Sequence, residues 1–214
     1  MILTLTNIKT SRIPNRVNLT FSDDSYLPFL IDDVVKLSLQ KNQSIDDDKF
    51  NQIISASLLY LGQEYALRQI AISPKTQKII SQKLKLFFFK AAHKYKHFSG
   101  FKFDSIISLV IDNLNSRNLL NQSDFIKSFV AKNHRKSANQ IKFLLSQRGV
   151  DTSFLKLDKT NDLDSIKRIL AKKRITRQVL TDFQAKNKLY ASLFRQGFDI
   201  SDIKAAIDDY LSLQ

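Results

Sequence analysis

The sequence predicts a mainly α-helical protein of elongated, tandemly repeated helical units with a small N-terminal β element. Three observations lead there. Strict alternation of apolar and polar residues, the period of a strand, is confined to the first thirty positions. From Asp32 to the C-terminus the apolar residues recur at helical spacing. Near the C-terminus a block repeats itself at an offset of 48 residues. The 214 residues and 24.7 kDa suffice to bury a core. A hydrophobic content of 43%, with 16 Phe, excludes a disordered chain, and 4 Gly with 3 Pro exclude a collagen-like or linker protein.

Ile2 to Ile8 alternates apolar residues with Thr and Asn, and Val17, Leu19 and Phe21 alternate with Asn18 and Thr20, so two strands are expected. Ser22-Asp23-Asp24-Ser25 is a turn, and Tyr26 to Leu30 returns as a third strand, with Pro28 at an edge or bulge because it has no ladder donor. Asp32-Asp33 marks a helix start. Ser44 with Asp47 resembles a capping box opening the stripe Phe50, Ile53, Ile54, Leu58, Leu61. Ser73-Pro74 begins or closely precedes the next helix.

With Gly149 set over Gly197, Ile141 falls on Leu189, Leu145 on Leu193, Val150 on Phe198, Asp151 on Asp199, Ser153 on Ser201 and Leu155 on Ile203. Apolar residues four apart line one helix face, the glycine ends that helix in a left-handed conformation, and the serine is expected to cap the next helix. Each copy reads as a helix, a glycine corner and a second helix. A weaker copy earlier has Ile80 and Leu84, but Phe88 stands at the glycine position, so residues 87–102 read as an insertion that extends the helix. Units that cannot bury their own faces stack side by side, which predicts the elongated form.

Charge is unevenly distributed. Residues 1–65 hold 6 Lys+Arg and 8 Asp+Glu, whereas residues 66–214 hold 28 and 12, the whole excess behind the net charge of +14. Such a field attracts polyanions, DNA, RNA or an acidic protein surface; a composition biased toward Lys and Asn gives the same pI without function. Lys132, His134, Arg135 and Lys136 form one basic cluster, and Lys167, Arg168, Lys172, Lys173, Arg174 and Arg177 a second, roughly in phase with the repeat. Lys132, Arg135, Lys136, Lys172, Lys173, Arg174, Arg177 and Arg195 are the candidate partner- and nucleic-acid-binding residues; a solvated helix face explains either cluster alone.

Other chemistry is thinly supported. His93 and His97 have the spacing of a metal pair, but the chain has no Cys, its one Glu is Glu64 and the acid nearest the pair is Asp104, so no metal and no cofactor is expected. Tyr95 and Phe98 could stack on bases; core packing is the commoner fate of such rings. Asp46-Asp47-Asp48 could hold Mg²⁺, although acids at a helix start more often serve the macrodipole. No nucleophile, base and orienter can be assembled, so no enzyme is expected. The lack of Cys fits a reducing compartment, and neither a membrane-spanning run nor a signal peptide is present, so the expected location is cytoplasmic.

Several segments resemble the RecX family of bacterial RecA regulators. Ala66-Leu67 with Ile70, Pro74-Lys75-Thr76, Ile80 and Lys83-Leu84 look like the pattern of its first repeat. Leu119-Leu120 with Phe125 looks like the segment that opens its second, and Arg148-Gly149-Val150 and Arg195-Gln196-Gly197-Phe198 look like its glycine corners. Ile8 through Leu30 is similar to its N-terminal strand region. Where the family carries an acidic pair this chain has Asn121-Gln122, its Gly is Asn118, its Ala is Ile126, and Ile79 replaces a Glu.

The resemblance implies three tandem three-helix repeats, at 66–118, 119–160 and 161–214, behind an N-terminal β-hairpin element with leading helices at 1–65. It also implies a non-catalytic protein that binds the RecA filament; a monomer is expected, and the charge adds single- or double-stranded DNA as an expected partner. The implied effect is inhibition of ATP hydrolysis, strand exchange and coprotease function in homologous recombination, DNA repair and the SOS response. An autonomous nucleic-acid-binding helical module acting without RecA fits the charge equally well.

Overall fold

The computed structural model describes residues 3–134, 136–157 and 160–212. The chain is mainly α-helical with a small N-terminal antiparallel sheet, and it forms two compact units that divide between Asn121 and Gln122. No helix among the described residues is long and apolar enough to cross a membrane.

In the N-terminal unit β1 (Leu3–Thr10), β2 (Arg16–Phe21), β3 (Tyr26–Leu30) and β4 (Gln43–Ile45) form one sheet in the order β3-β2-β1-β4. The predicted alternation places Leu3, Leu5, Val17, Leu19 and Phe21 in the core. Pro28 lies in the edge strand β3, where a residue without an N–H is tolerated, and its carbonyl accepts a hydrogen bond from the buried Ser57 hydroxyl at 2.7 Å. The three-residue β4 has too short a pattern to be read from sequence.

Helices α1 (Ile31–Lys36), α2 (Asp47–Ile72), α3 (Gln77–Lys94) and α4 (Asp104–Ser116) complete this unit. The capping box is shifted from its expected place. Asp46 caps α2 by accepting from the Lys49 amide at 2.7 Å, while Ser44 is taken up by β4. Ser73-Pro74 closely precedes α3, whose cap is Thr76, accepting from the Ile79 amide at 3.3 Å. As predicted, α3 runs on past Phe88. The reason is packing: Phe88 is fully buried against Gly62 of α2, where a Cβ would meet the ring at 2.8 Å and Val110 of α4 at 3.0 Å. A corner at Phe88 would pull that ring out of the core, so the chain turns later, through a single 3-10 turn at Lys96–Phe98 and Gly100 at φ +80°.

The C-terminal unit contains α5 (Gln122–Lys132), α6 (Ala138–Gln147), α7 (Thr160–Lys172), α8 (Arg177–Thr181), α9 (Phe183–Arg195) and α10 (Ile200–Ser212). Ile166 and Leu170 of α7, Leu189 and Leu193 of α9, and Ile203, Ala206 and Ile207 of α10 form one core with Ile175 and Phe198. Gly149 and Gly197 have φ of +80° and +86°, as the repeat predicts. The Val150 amide donates to the Leu145 carbonyl and the Phe198 amide to the Leu193 carbonyl, which closes both helix ends in the same way.

Two expectations about the repeat are corrected. Ser201 lies inside α10, and the carbonyl of Asp199 accepts the Ile203 amide, so Asp199 and not Ser201 begins that helix. After Gly149 no helix forms within residues 151–157. There the Asp151 carboxylate accepts from the Ser153 amide at 2.9 Å and hydroxyl at 2.7 Å, making a local turn, and Leu155 and Leu157 are spaced two apart rather than three or four.

The same corner also occurs without glycine. Asn118 at φ +53° and Arg174 at φ +52° end α4 and α7, with the Leu119 amide on the Leu114 carbonyl and the Ile175 amide on the Leu170 carbonyl.

Candidate functional site

The start of α6 is the framework for the predicted basic residues. A helix N-terminus leaves backbone donors unpaired, and two of those of α6 are met by side chains. The Gln140 amide donates to the Ser137 hydroxyl at 3.2 Å. The Ala138 amide donates to the buried Asp162 carboxylate in the first turn of α7 at 3.0 Å. The Ser137 hydroxyl in turn donates to the Gln196 carbonyl at the end of α9, 2.8 Å away, and Asn139 donates to Asp199 at 2.9 Å. Through one short segment, α6 is fixed to α7 and to the Gly197 corner.

This arrangement sorts the candidate residues into two groups. Lys132 ends α5, Lys136 immediately precedes Ser137, and Arg195 immediately precedes Gln196, so these three lie toward the α6 start. Lys172 ends α7, Lys173 and Arg174 follow it and Arg177 opens α8; ten residues of helix set Lys172 about 15 Å from Asp162. Arg135 lies outside the described residues. Lys132, Lys172, Lys173, Arg174, Arg177 and Arg195 are exposed and Lys136 is half-buried. Arg177 also donates to the Leu211 carbonyl at 2.9 Å, and Arg195 to the Ala191 carbonyl at 3.2 Å. Lys167, counted with the second cluster, is ion-paired with Asp209, while Arg168 and Lys172 line a shallow cavity with Ser165 and Ile169.

Arg174 combines charge with an unfavourable backbone. Its left-handed conformation suits glycine and costs an ordinary residue on the order of 1 kcal/mol. Arg174→Gly is therefore expected to leave thermal stability unchanged or raised by up to about 1 kcal/mol. If Arg174 contacts a partner, the same variant binds more weakly; a fall in melting temperature would show instead that the arginine is structural.

Side-chain chemistry elsewhere departs from the sequence reading in one respect. A serine, a histidine and an aspartate do meet: the Ser25 hydroxyl lies 2.6 Å from His97 Nε2, and Asp23 lies 2.5 Å from the same hydroxyl and 3.2 Å from the same Nε2. A catalytic relay needs the acid on the opposite ring nitrogen, so this cluster ties the β2–β3 turn to the Lys96–Phe98 turn instead. Lys96 adds a 2.9 Å ion pair to Asp23, and Phe21 and Phe50 set their edges against the imidazole. His93, by contrast, is exposed beside Phe89, and among the described residues no group of three or more His, Cys, Asp or Glu is placed to hold a metal.

Burial pushes the Asp23 carboxyl up, but the Ser25 hydroxyl, the Lys96 ammonium, the Ser25 amide and His97 outweigh it and hold the group well below the usual carboxylate range. A depressed folded value means stability that is present above the ordinary value of 3.8 and lost as the pH falls through the folded one. Asp23→Asn is expected to cost about 1–3 kcal/mol at neutral pH in urea unfolding of the N-terminal unit. The gap to the wild type should narrow below pH 3.8; a gap independent of pH would refute the charge pairing.

Comparison with known proteins adds to this geometry. A family model described as "RecX, third three-helix domain" matches residues 161–207, the segment running from α7 into α10. The chain is 24% identical over 212 residues to the regulatory protein RecX of Clostridium botulinum (strain Eklund 17B / Type B), covering 95% of this chain and 93% of that protein. It is 29% identical over 196 residues to the regulatory protein RecX of Clostridium beijerinckii, covering 88% and 86%. A crystal structure of a regulatory protein RecX superposes with a TM-score of 0.65 at 15% identity, covering 96% of this chain and 99% of that one, a likeness of fold.

Proposed function

We propose that the chain is a member of the RecX family, a non-catalytic regulator that binds the RecA–DNA filament and inhibits its ATP hydrolysis, strand exchange and coprotease functions. The observation that carries this reading is the alignment with proteins named regulatory over 95% of the chain, rather than over one repeat. The exposed cations at the end of α7 supply a surface suited to an acidic protein groove or a phosphate backbone.

A second reading, a nucleic-acid binder acting without RecA, draws on the same cations. Salt separates the two. Affinity for a single strand falls by roughly 0.7 log units per log unit of salt for each phosphate neutralised. A regulator that also touches protein inhibits RecA ATPase with a shallower salt dependence, and at concentrations well below those that saturate naked DNA. Measuring ATPase inhibition and DNA affinity in parallel over a salt series tests this. Superimposable slopes, with inhibition only at DNA-saturating doses, would favour the autonomous binder.

A further inference from the structure

Between Glu64 and Asp104 the sequence has nine Lys and Arg, two His and no acid. Helix α3 crosses this stretch, and its outer face carries Lys85, Leu86, Phe89, Lys90, His93 and Lys94, all exposed. Leu86 is 65% and Phe89 64% exposed, and the Phe89 ring meets the His93 imidazole edge-on at a centroid distance of 4.9 Å. Tyr95 and Phe98, the rings singled out from sequence, are 6% and 0% exposed and belong to the core. Of the three phenylalanines on α3, the exposed one is Phe89.

Beside this face lies an open cavity of about 470 Å³, with Arg16, Arg68, Lys90 and Lys94 on its walls and the stacked pair Tyr65 and Phe87, 4.4 Å apart. Its one acid, Glu64, is ion-paired with Arg68. Elsewhere on the face, Asp104 pairs with Lys85 at 3.1 Å, and Lys94 lies 5.2 Å over the Tyr95 ring. Lys90 and Lys94 border both the cavity and the outer face. Cations spaced along a helix with an exposed ring between them match a chain of phosphates with accessible bases. A duplex hides its base faces. A membrane surface needs a broad apolar stripe, whereas only Leu86 and Phe89 are large, apolar and exposed on α3.

We propose that α3 and the cavity beside it form a binding face for single-stranded nucleic acid, with phosphates on Lys90 and Lys94 and a base stacked on Phe89. This face belongs to the N-terminal unit and the α7 cations to the C-terminal one, and the proposal does not depend on the filament reading, because its binding is measured without RecA.

The chain has no Trp, so Phe89→Trp supplies a single reporter. In the full-length protein its fluorescence is expected to be quenched by an oligo-dT of about 12 nucleotides, and not by heparin, a polyanion without bases. Anisotropy of the labelled oligonucleotide is expected to show affinity about 5- to 100-fold weaker for Phe89→Ala. The pair K90E and K94E should lower the salt slope by about 1.4. All substituted residues are exposed, and unchanged melting temperatures confirm intact folds. Three results would overturn the proposal: oligonucleotide binding without quenching, wild-type affinity in both variants, or a blue shift on phosphatidylserine vesicles with no response to the oligonucleotide, which would point to lipid.

Discussion

Gly197→Val is expected to destabilise the C-terminal unit by about 2–5 kcal/mol. Two costs combine at this residue. At φ +86° a β-branched side chain is forced into a conformation it disfavours, at roughly 1–3 kcal/mol. In addition, a Cβ built here would lie 2.6 Å from the Ser137 hydroxyl and 3.3 Å from the Gln140 amide, the acceptor and donor of the hydrogen bond that caps α6. Relief requires moving Ser137, which also breaks its hydrogen bond to the Gln196 carbonyl. Thermal unfolding followed by circular dichroism should show a fall on the order of 10 °C. Hydrogen exchange should show faster exchange in α6 as well as in α9, since one hydroxyl serves both. Ser137→Ala is the companion variant: it removes the cap and the cross-link but leaves the backbone relaxed, at about 1–2 kcal/mol. If Gly197→Val cost no more than Ser137→Ala, the backbone and overlap terms would be wrong.

Under the proposed function, reversing Lys172, Lys173 and Arg174 to Glu together is expected to weaken RecA inhibition and DNA binding by at least about tenfold and to lower the DNA salt slope by roughly 2. The three are consecutive, exposed and at the end of α7, so the reversal acts on one surface. Stability should change little, because substitutions of exposed charges usually stay within about 0.5 kcal/mol; acids at a helix C-terminus add a few tenths through the dipole. Lys36 and Lys41, exposed in the net-negative N-terminal part, serve as the control pair for charge reversal. Equal losses in the control would mean that total charge, and not its position, governs binding.

Much of this architecture was legible in the chain. The strand period around Leu19 and Phe21, the helical stripes, and the left-handed glycines at 149 and 197 are local consequences of side-chain pattern and backbone freedom, and they hold wherever the segments pack. The position of the charge excess is likewise a property of sequence alone.

Other features depended on atoms distant in sequence. Asp46 and not Ser44 caps α2, because Ser44 pairs with Thr4 of β1. Asp162 caps α6 from 24 residues away, and Ser137 reaches a carbonyl 59 residues on. The corner at Arg174 carries no glycine to mark it, since the hydrogen bonds that close it come from the backbone of α7 and Ile175. Which aromatic of the 87–102 segment faces outward was decided by the Gly62 groove, which takes Phe88 and so turns Phe89 to the surface. Periodicity assigns residues to helix faces, but which face is covered depends on the elements that pack against it.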